Sequence, residues 1–171
     1  MALRTLFTFP DPVNEKAART VAAGVVALSA AAIAARQPWL LVVLAAGFWA
    51  RVLTGPTLSP LGRLATSVIA PALGEPRLVP GPPKRFAQGV GAAFSTVAVL
   101  LWFGAGAHVP ALAVAGALAG AASLEAALGL CLGCKIFGAL MRAGLIPASV
   151  CEACADISLR HPEPRREPVH T

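Results

Sequence analysis

Charge is scarce in this chain. Only 13% of its 171 residues are Asp, Glu, Lys or Arg, and eight of them are acidic. Tyrosine is absent, aromatic residues make up 6%, and there are three histidines. So little charge, with 57% hydrophobic residues and a positive mean hydropathy, excludes an ordinary soluble domain. At this length the chain is also too long for a single anchor, which leaves an integral membrane protein of several helices. The formal charge of +6 does not point to nucleic acid, because the basic residues are scattered between apolar segments and are not clustered with aromatics on one face. They read as topology signals and contacts to membrane lipid.

Reactive side chains are equally few before the last third of the chain. All four cysteines lie there: Cys131 and Cys134 within Gly129-Leu130-Cys131-Leu132-Gly133-Cys134, then Cys151 and Cys154. What precedes them reads as scaffold.

The predicted fold is all-α, an integral membrane bundle of four transmembrane helices arranged as two helical hairpins, with a short interfacial amphipathic helix between them. Asp11-Pro12 is placed to cap the first helix. The spans are expected at about 17–35, 38–53, 86–107 and 109–134. A secretory signal peptide competes for the first span, but a second apolar run follows at once. Arg19 can snorkel to the interface, and Arg36-Gln37-Pro38 makes the first hairpin turn. The second span is short for a hydrocarbon core that needs roughly 20 helical residues, so Arg51 is expected to reach out at its end. Trp39 and Trp49 fit an aromatic belt.

Between the hairpins, Thr54 to Arg85 carries seven prolines. Ser59-Pro60 is a helix start, and Leu61, Leu64, Ala65, Val68 and Ile69 share one face, which predicts a helix lying on the membrane surface; a helix packed on the bundle is the alternative. The two hairpins also look related, since Lys16-Ala17-Ala18 parallels Arg85-Phe86-Ala87 at an offset of 69 residues. His108 reads as a solvated turn residue. Gly116 with Gly120, and Gly129 with Gly133, are small residues spaced for close helix packing, within the bundle or across a homo-oligomer.

Lysine and arginine number three in the N-terminal segment, one and none in the two hairpin turns, five in the central connector with Arg51, and five from Lys135 onward. The positive-inside rule then places both termini in the cytoplasm of a cell inner membrane, with residues 1–142 as the membrane domain and 143–171 as a cytoplasmic cysteine-containing segment and flexible tail. All four cysteines face the reducing side, where stable disulfides are not expected.

The Cys131-Leu132-Gly133-Cys134 motif, Ser59-Pro60 with Pro71 further on, and Pro82-Pro83-Lys84-Arg85-Phe86-Ala87-Gln88 together resemble the bacterial membrane family known as domain of unknown function 4395, over about residues 13 to 142. The resemblance implies a four-span membrane protein with a CxGC motif and carries no established activity. The chain departs from it at Lys135, where an acidic residue is usual, and at Glu125, near a usual asparagine. Cys151 and Cys154 lie outside the family motif.

Two chemistries suit the cysteines. A CxxC on a helix sets both sulfurs on one face, about 60° apart, so Cys131 and Cys134 are candidate catalytic thiols, one attacking and one resolving. In a continuous fourth span they sit near a helix C-terminus, where the dipole opposes a thiolate and Lys135 partly offsets it. Their partner would be a soluble thioredoxin-like or rhodanese-like protein, with the polar second pair able to relay electrons or sulfur. No cofactor is needed for this. Alternatively, C-x2-C-x16-C-x2-C is zinc spacing, making Cys131, Cys134, Cys151 and Cys154 ligands in a non-enzymatic membrane subunit. Glu125 is either a proton acceptor or a buried acid bonded to a neighbouring helix; on a straight helix it stands about 120° from Cys131, and a kink at Gly129 or Gly133 would change that. It is also the one polar candidate for a small-solute or sulfur-compound transporter, which four spans would form only as an oligomer.

Overall fold

The computed structural model describes residues 9–155. The flexible tail expected at Arg160 to Thr171 lies outside the described residues. Within them the chain is helical apart from two short antiparallel strands, β1 (Val13–Asn14) and β2 (Leu78–Val79), which pair Val13 with Val79.

Helix α1 (Glu15–Ala34) begins later than Asp11-Pro12 suggested. Asn14 is its cap, accepting the Lys16 N–H at 3.0 Å, while Asp11 accepts the N–H of Gly81 at 2.9 Å. The acid expected to start the first helix thus secures the start of a later one. Arg36, Gln37 and Pro38 make the predicted turn, Arg36 in the left-handed region at φ 48°. Helix α2 (Trp39–Thr54) then buries Leu41, Leu44, Phe48, Arg51 and Thr54 along one stripe and turns Trp39, Val43 and Leu53 outward.

Arg51 does not reach out to the membrane surface. It is 5% exposed, donates to Gln88 at 2.8 Å and to Ser59 at 3.1 Å, and lies over the Phe48 ring. Polar partners inside the bundle satisfy the guanidinium, so snorkelling is unnecessary.

The connector carries helical segment α3, built of Pro60–Leu64, a π turn Ala65–Ile69, and Ala70–Ala72. Pro71 has no N–H to continue the ladder, and the π turn accommodates the gap. Small residues Ala65 and Ala70 pack against Ala17 and Val21 of α1, with Leu61 alongside, whereas Leu64 and Val68 are exposed. The predicted single apolar face is therefore split: one edge packs on the bundle and the other points outward.

Helix α4 (Gly81–Gly104, its last turn a π turn from Leu100) starts five residues before the expected Phe86. Gly81-Pro82-Pro83 forms its first turn, where missing N–H groups leave no bond unmade. Helix α5 (His108–Leu128) begins at His108 itself, whose ring stands 4.3 Å from that of Trp102. His108 is exposed but helical.

α1 packs chiefly on α5 and α2 on α4, while α4 and α5 touch each other. Their shared core is Val25, Leu41, Leu44, Phe48, Ala92, Ala115 and Leu118 with neighbouring alanines. At Gly91 a side chain would overlap the Phe48 ring, so glycine permits this crossing. Gly116 and Gly120 have no neighbour within 4 Å of a Cβ position and make no close packing inside the chain. Three helices, α1, α4 and α5, are long and apolar enough to cross a membrane, and α2 is a shorter apolar helix. Exposed Val, Leu, Phe and Trp cover their outer faces, as expected of surface turned to lipid.

Candidate functional site

The fourth apolar run does not continue to Cys134. α5 stops at Leu128, because Gly129 adopts the left-handed conformation (φ 69°, ψ 12°) that ends helices and that glycine takes without a Cβ penalty. The N–H groups of Gly129 and Leu130 turn back onto the carbonyls of Glu125 and Leu124. Two further carbonyls at this end, those of Ala126 and Ala127, accept from the Arg19 guanidinium at 2.8–3.2 Å. Arg19 does not snorkel; it caps the C-terminus of another helix, where a cation is favoured.

A new helix, α6 (Leu132–Arg142), follows at once, and Cys131 is its N-cap. Cys131 Sγ accepts the backbone N–H of Cys134 at 3.3 Å, the part that Ser or Asp plays at other helix starts. The cysteines therefore sit at a helix N-terminus, the opposite of the C-terminal setting expected, and the dipole favours a thiolate. The Cys134 thiol also hydrogen-bonds to Cys131, which lowers the Cys131 pKa below the ordinary thiol range against the opposing effect of burial. The same bond, with burial, pushes Cys134 up, because its proton is held by the neighbouring sulfur. The two cysteines of the motif are unequal: the thiolate is favoured at Cys131 and opposed at Cys134.

α6 is held on α4 by its glycine. A Cβ at Gly133 would stand 2.5 Å from the Cβ and 2.6 Å from the Cα of Ala87, so no other residue fits without moving the helix. Phe137 buries against Phe86, ring centroids 5.7 Å apart, one turn further on. The glycine of CxGC thus sets how closely the cysteines approach the first turn of α4.

That first turn carries Lys84. Its Nζ lies 2.6 Å from Glu125 Oε1, and both side chains are largely buried. The two charges act on both sulfurs, Lys84 favouring the thiolate and Glu125 opposing it. Glu125 is neither alone nor remote: the break at Gly129 removes the straight-helix geometry that separated it from Cys131, and a lysine from α4 pairs it. Lys84 was missed in the sequence because it was assigned to the connector, although Gly-Pro-Pro just before it marks a helix start.

A cleft of about 840 Å³ opens over the dithiol, lined among others by Glu15, Lys84, Cys131, Cys134 and Arg142. Cys154 lines it too. Gly144 (φ 73°) ends α6, and a short 3-10 turn (Ala148–Val150) leads into helix α7 (Glu152–Ala155), which brings Cys154 of the second pair to this cleft. Contrary to expectation, Cys151 and Cys154 are joined in a disulfide, their Cα atoms 5.2 Å apart, while Cys131 and Cys134 are free thiols. The sequence separation of three places Cys151 and Cys154 within bonding reach. Among the described residues no group of three or more His, Cys, Asp or Glu is arranged to hold a metal ion.

A family model described as domain of unknown function (DUF4395) matches residues 13–142, and the chain belongs to that family. No curated protein matches it, nor does any solved structure. The matched region ends with α6; it includes Cys131 and Cys134 and leaves out Cys151 and Cys154.

Proposed function

We propose that this protein is a four-span inner-membrane dithiol protein that exchanges disulfides or transfers sulfur with a soluble thioredoxin-like or rhodanese-like partner. The observation that carries it is Cys131 at the N-cap of α6, its sulfur accepting the backbone N–H of Cys134 at 3.3 Å in a cleft that Lys84 also lines. This is the microenvironment that activates a thiol. Cys131 thiolate attacks a sulfur of the partner's disulfide, forms a mixed disulfide and expels the partner's second sulfur. Cys134 then gives up its proton, attacks Cys131 and releases the reduced partner, leaving Cys131–Cys134 oxidised. With a persulfide partner Cys131 thiolate attacks the terminal sulfur instead, the partner's S–S bond breaks, Cys131 becomes the persulfide and the partner leaves as a thiolate.

The reading is tested on detergent-purified, fully reduced protein with an aromatic probe disulfide. Cys131→Ser is expected to abolish fast reduction of the probe, and Cys134→Ser to leave the mixed disulfide trapped on Cys131. Equal rates in wild type and Cys131→Ser would sink it.

The four-span topology counts α2 as a span. Sixteen residues rise about 24 Å against a hydrocarbon core of about 30 Å, so α2 crosses only with local thinning. Reporter fusions after Gly55 and after Ala107 should report opposite sides of the membrane. A zinc site is the second reading, favoured by Cys131, Cys134 and Cys154 lining one cleft. It requires the Cys151–Cys154 bond to be reduced first, and about one zinc per reduced chain, lost in Cys151→Ser, would establish it over the dithiol reading.

A further inference from the structure

The two cysteine pairs differ in redox state: a thiol pair at the start of α6, and a disulfide joining Cys151, just before α7, to Cys154 within it, with Cys154 lining the same cleft as Cys131 and Cys134. From this juxtaposition we infer that Cys151–Cys154 is a second redox site and the internal electron acceptor of the dithiol, working through a Cys131–Cys154 mixed disulfide. The inference rests on the dithiol reading of Cys131 and names the first partner of that thiol as a segment of its own chain.

Cys154 is the sulfur attacked, because it faces the cleft while Cys151 is 5% exposed. Cys131 thiolate attacks Cys154 Sγ; the Cys131–Cys154 bond forms, the Cys151–Cys154 bond breaks, and Cys151 leaves as a thiolate that takes up a proton. Cys134 loses its proton and attacks Cys131, forming Cys131–Cys134 and releasing Cys154, which is protonated in turn. Two electrons and the Cys134 proton have left the first pair, the second pair has taken up two protons, one of them from solvent, and no external oxidant is needed. The chain between them is built to allow the approach. Gly144 in the left-handed conformation and Pro147 separate α6 from the short Ala148–Val150 and Glu152–Ala155 turns, which have few buried residues to anchor them. Ser149, Val150 and Glu152 are exposed, so the reduced second pair sits beside surface that a soluble disulfide can reach. Disulfides on a reducing side of a membrane are transient and exchange-active, which is the behaviour this pair would show.

The full chain carrying Cys134→Ser, purified without reductant, acid-quenched, alkylated and mapped by non-reducing peptide mass spectrometry, decides the matter. The expected result is a Cys131–Cys154 linked peptide in more than half of the chains, with Cys151 alkylated. An intact Cys151–Cys154 bond with unlinked Cys131 overturns the internal acceptor. If Cys131 in fully reduced wild type alkylates many-fold faster than a simple thiol at pH 7, the dithiol reading survives alone; if it does not, that reading falls as well. A second variant, Cys134→Ser with Cys151→Ser, measures reach directly. One equivalent of a diazene oxidant should close an intrachain Cys131–Cys154 bond, and its failure to do so overturns the inference.

Discussion

Gly133→Ala is the sharpest test of how the site is built. The added Cβ would lie 2.5 Å from Ala87 Cβ, whereas carbon atoms rest about 3.5–4.0 Å apart, so α6 must lift from α4 by about 1–1.5 Å. Overpacking of this kind costs about 1–3 kcal/mol. In a chain of this size that lowers Tm by roughly 2–4 °C per kcal/mol. Ala87 sits three residues after Lys84 on the same helix, so the displacement also carries Cys131 away from Lys84, and its alkylation at pH 7 should slow. Gly138, five residues further along α6, supplies the control. It has no neighbour within 4 Å, so Gly138→Ala adds helix propensity of about 1 kcal/mol and should raise Tm slightly with Cys131 reactivity unchanged. Thermal unfolding in detergent and iodoacetamide kinetics, read by mass spectrometry at Cys131, give both outcomes on the same samples. Identical behaviour of the two alanine variants would refute the argument that the motif glycine seats the thiols.

Two further predictions concern charge. Lys84→Met should slow Cys131 alkylation at neutral pH and Glu125→Gln should speed it, because the lysine favours the thiolate and the carboxylate opposes it; each breaks the 2.6 Å pair and should cost about 3–5 kcal/mol of stability, so shifts in rate of the same sign would count against the assignment. In wild type the rate-pH midpoint of Cys131 should lie below the ordinary thiol value of about 8.5, since its thiolate persists to lower pH, and Cys134→Ala should move that midpoint up by removing the donor thiol. A midpoint that stays put on this change would show that the neighbouring sulfur plays no part.

Much of this architecture is written in the sequence as apolar periodicity. α1, α2 and α5 begin within a few residues of their expected starts, because Lys16, Pro38 and the Gly106-Ala107 turn interrupt uniform apolar runs. The end of α5 is hidden for the same reason that its body is plain. Composition is unchanged across Leu128-Gly129-Leu130, so an apolar count runs on to Cys134, and only the backbone conformation of Gly129 shows the break. Arg51 and Arg19 were misplaced by a shared assumption, that a cation in an apolar helix seeks the membrane surface. Their partners, Ser59 and Gln88 for one and the carbonyls of Ala126 and Ala127 for the other, lie at distances along the chain that no local pattern encodes.

The position of the break also explains why a helix start, and not a helix end, faces the first cysteine of the motif. Within Leu128 to Cys131 one helix ends and another begins, so a negative dipole end and a positive one lie side by side. Left alone they would largely cancel at the sulfur. Arg19 occupies the negative end by bonding two of its carbonyls, which leaves the positive end of α6 facing Cys131 without an opposing neighbour of equal strength. Lys84 is then offset by Glu125, so the balance at Cys131 is set by the helix start and by the backbone N–H of Cys134. An unbroken span would have offered none of these N–H groups, since inside a helix each is already taken by the carbonyl four residues earlier. Ending an apolar helix at a glycine and restarting it on a cysteine is thus a way to set a sulfur against backbone dipoles in a chain that has few charged side chains to spare.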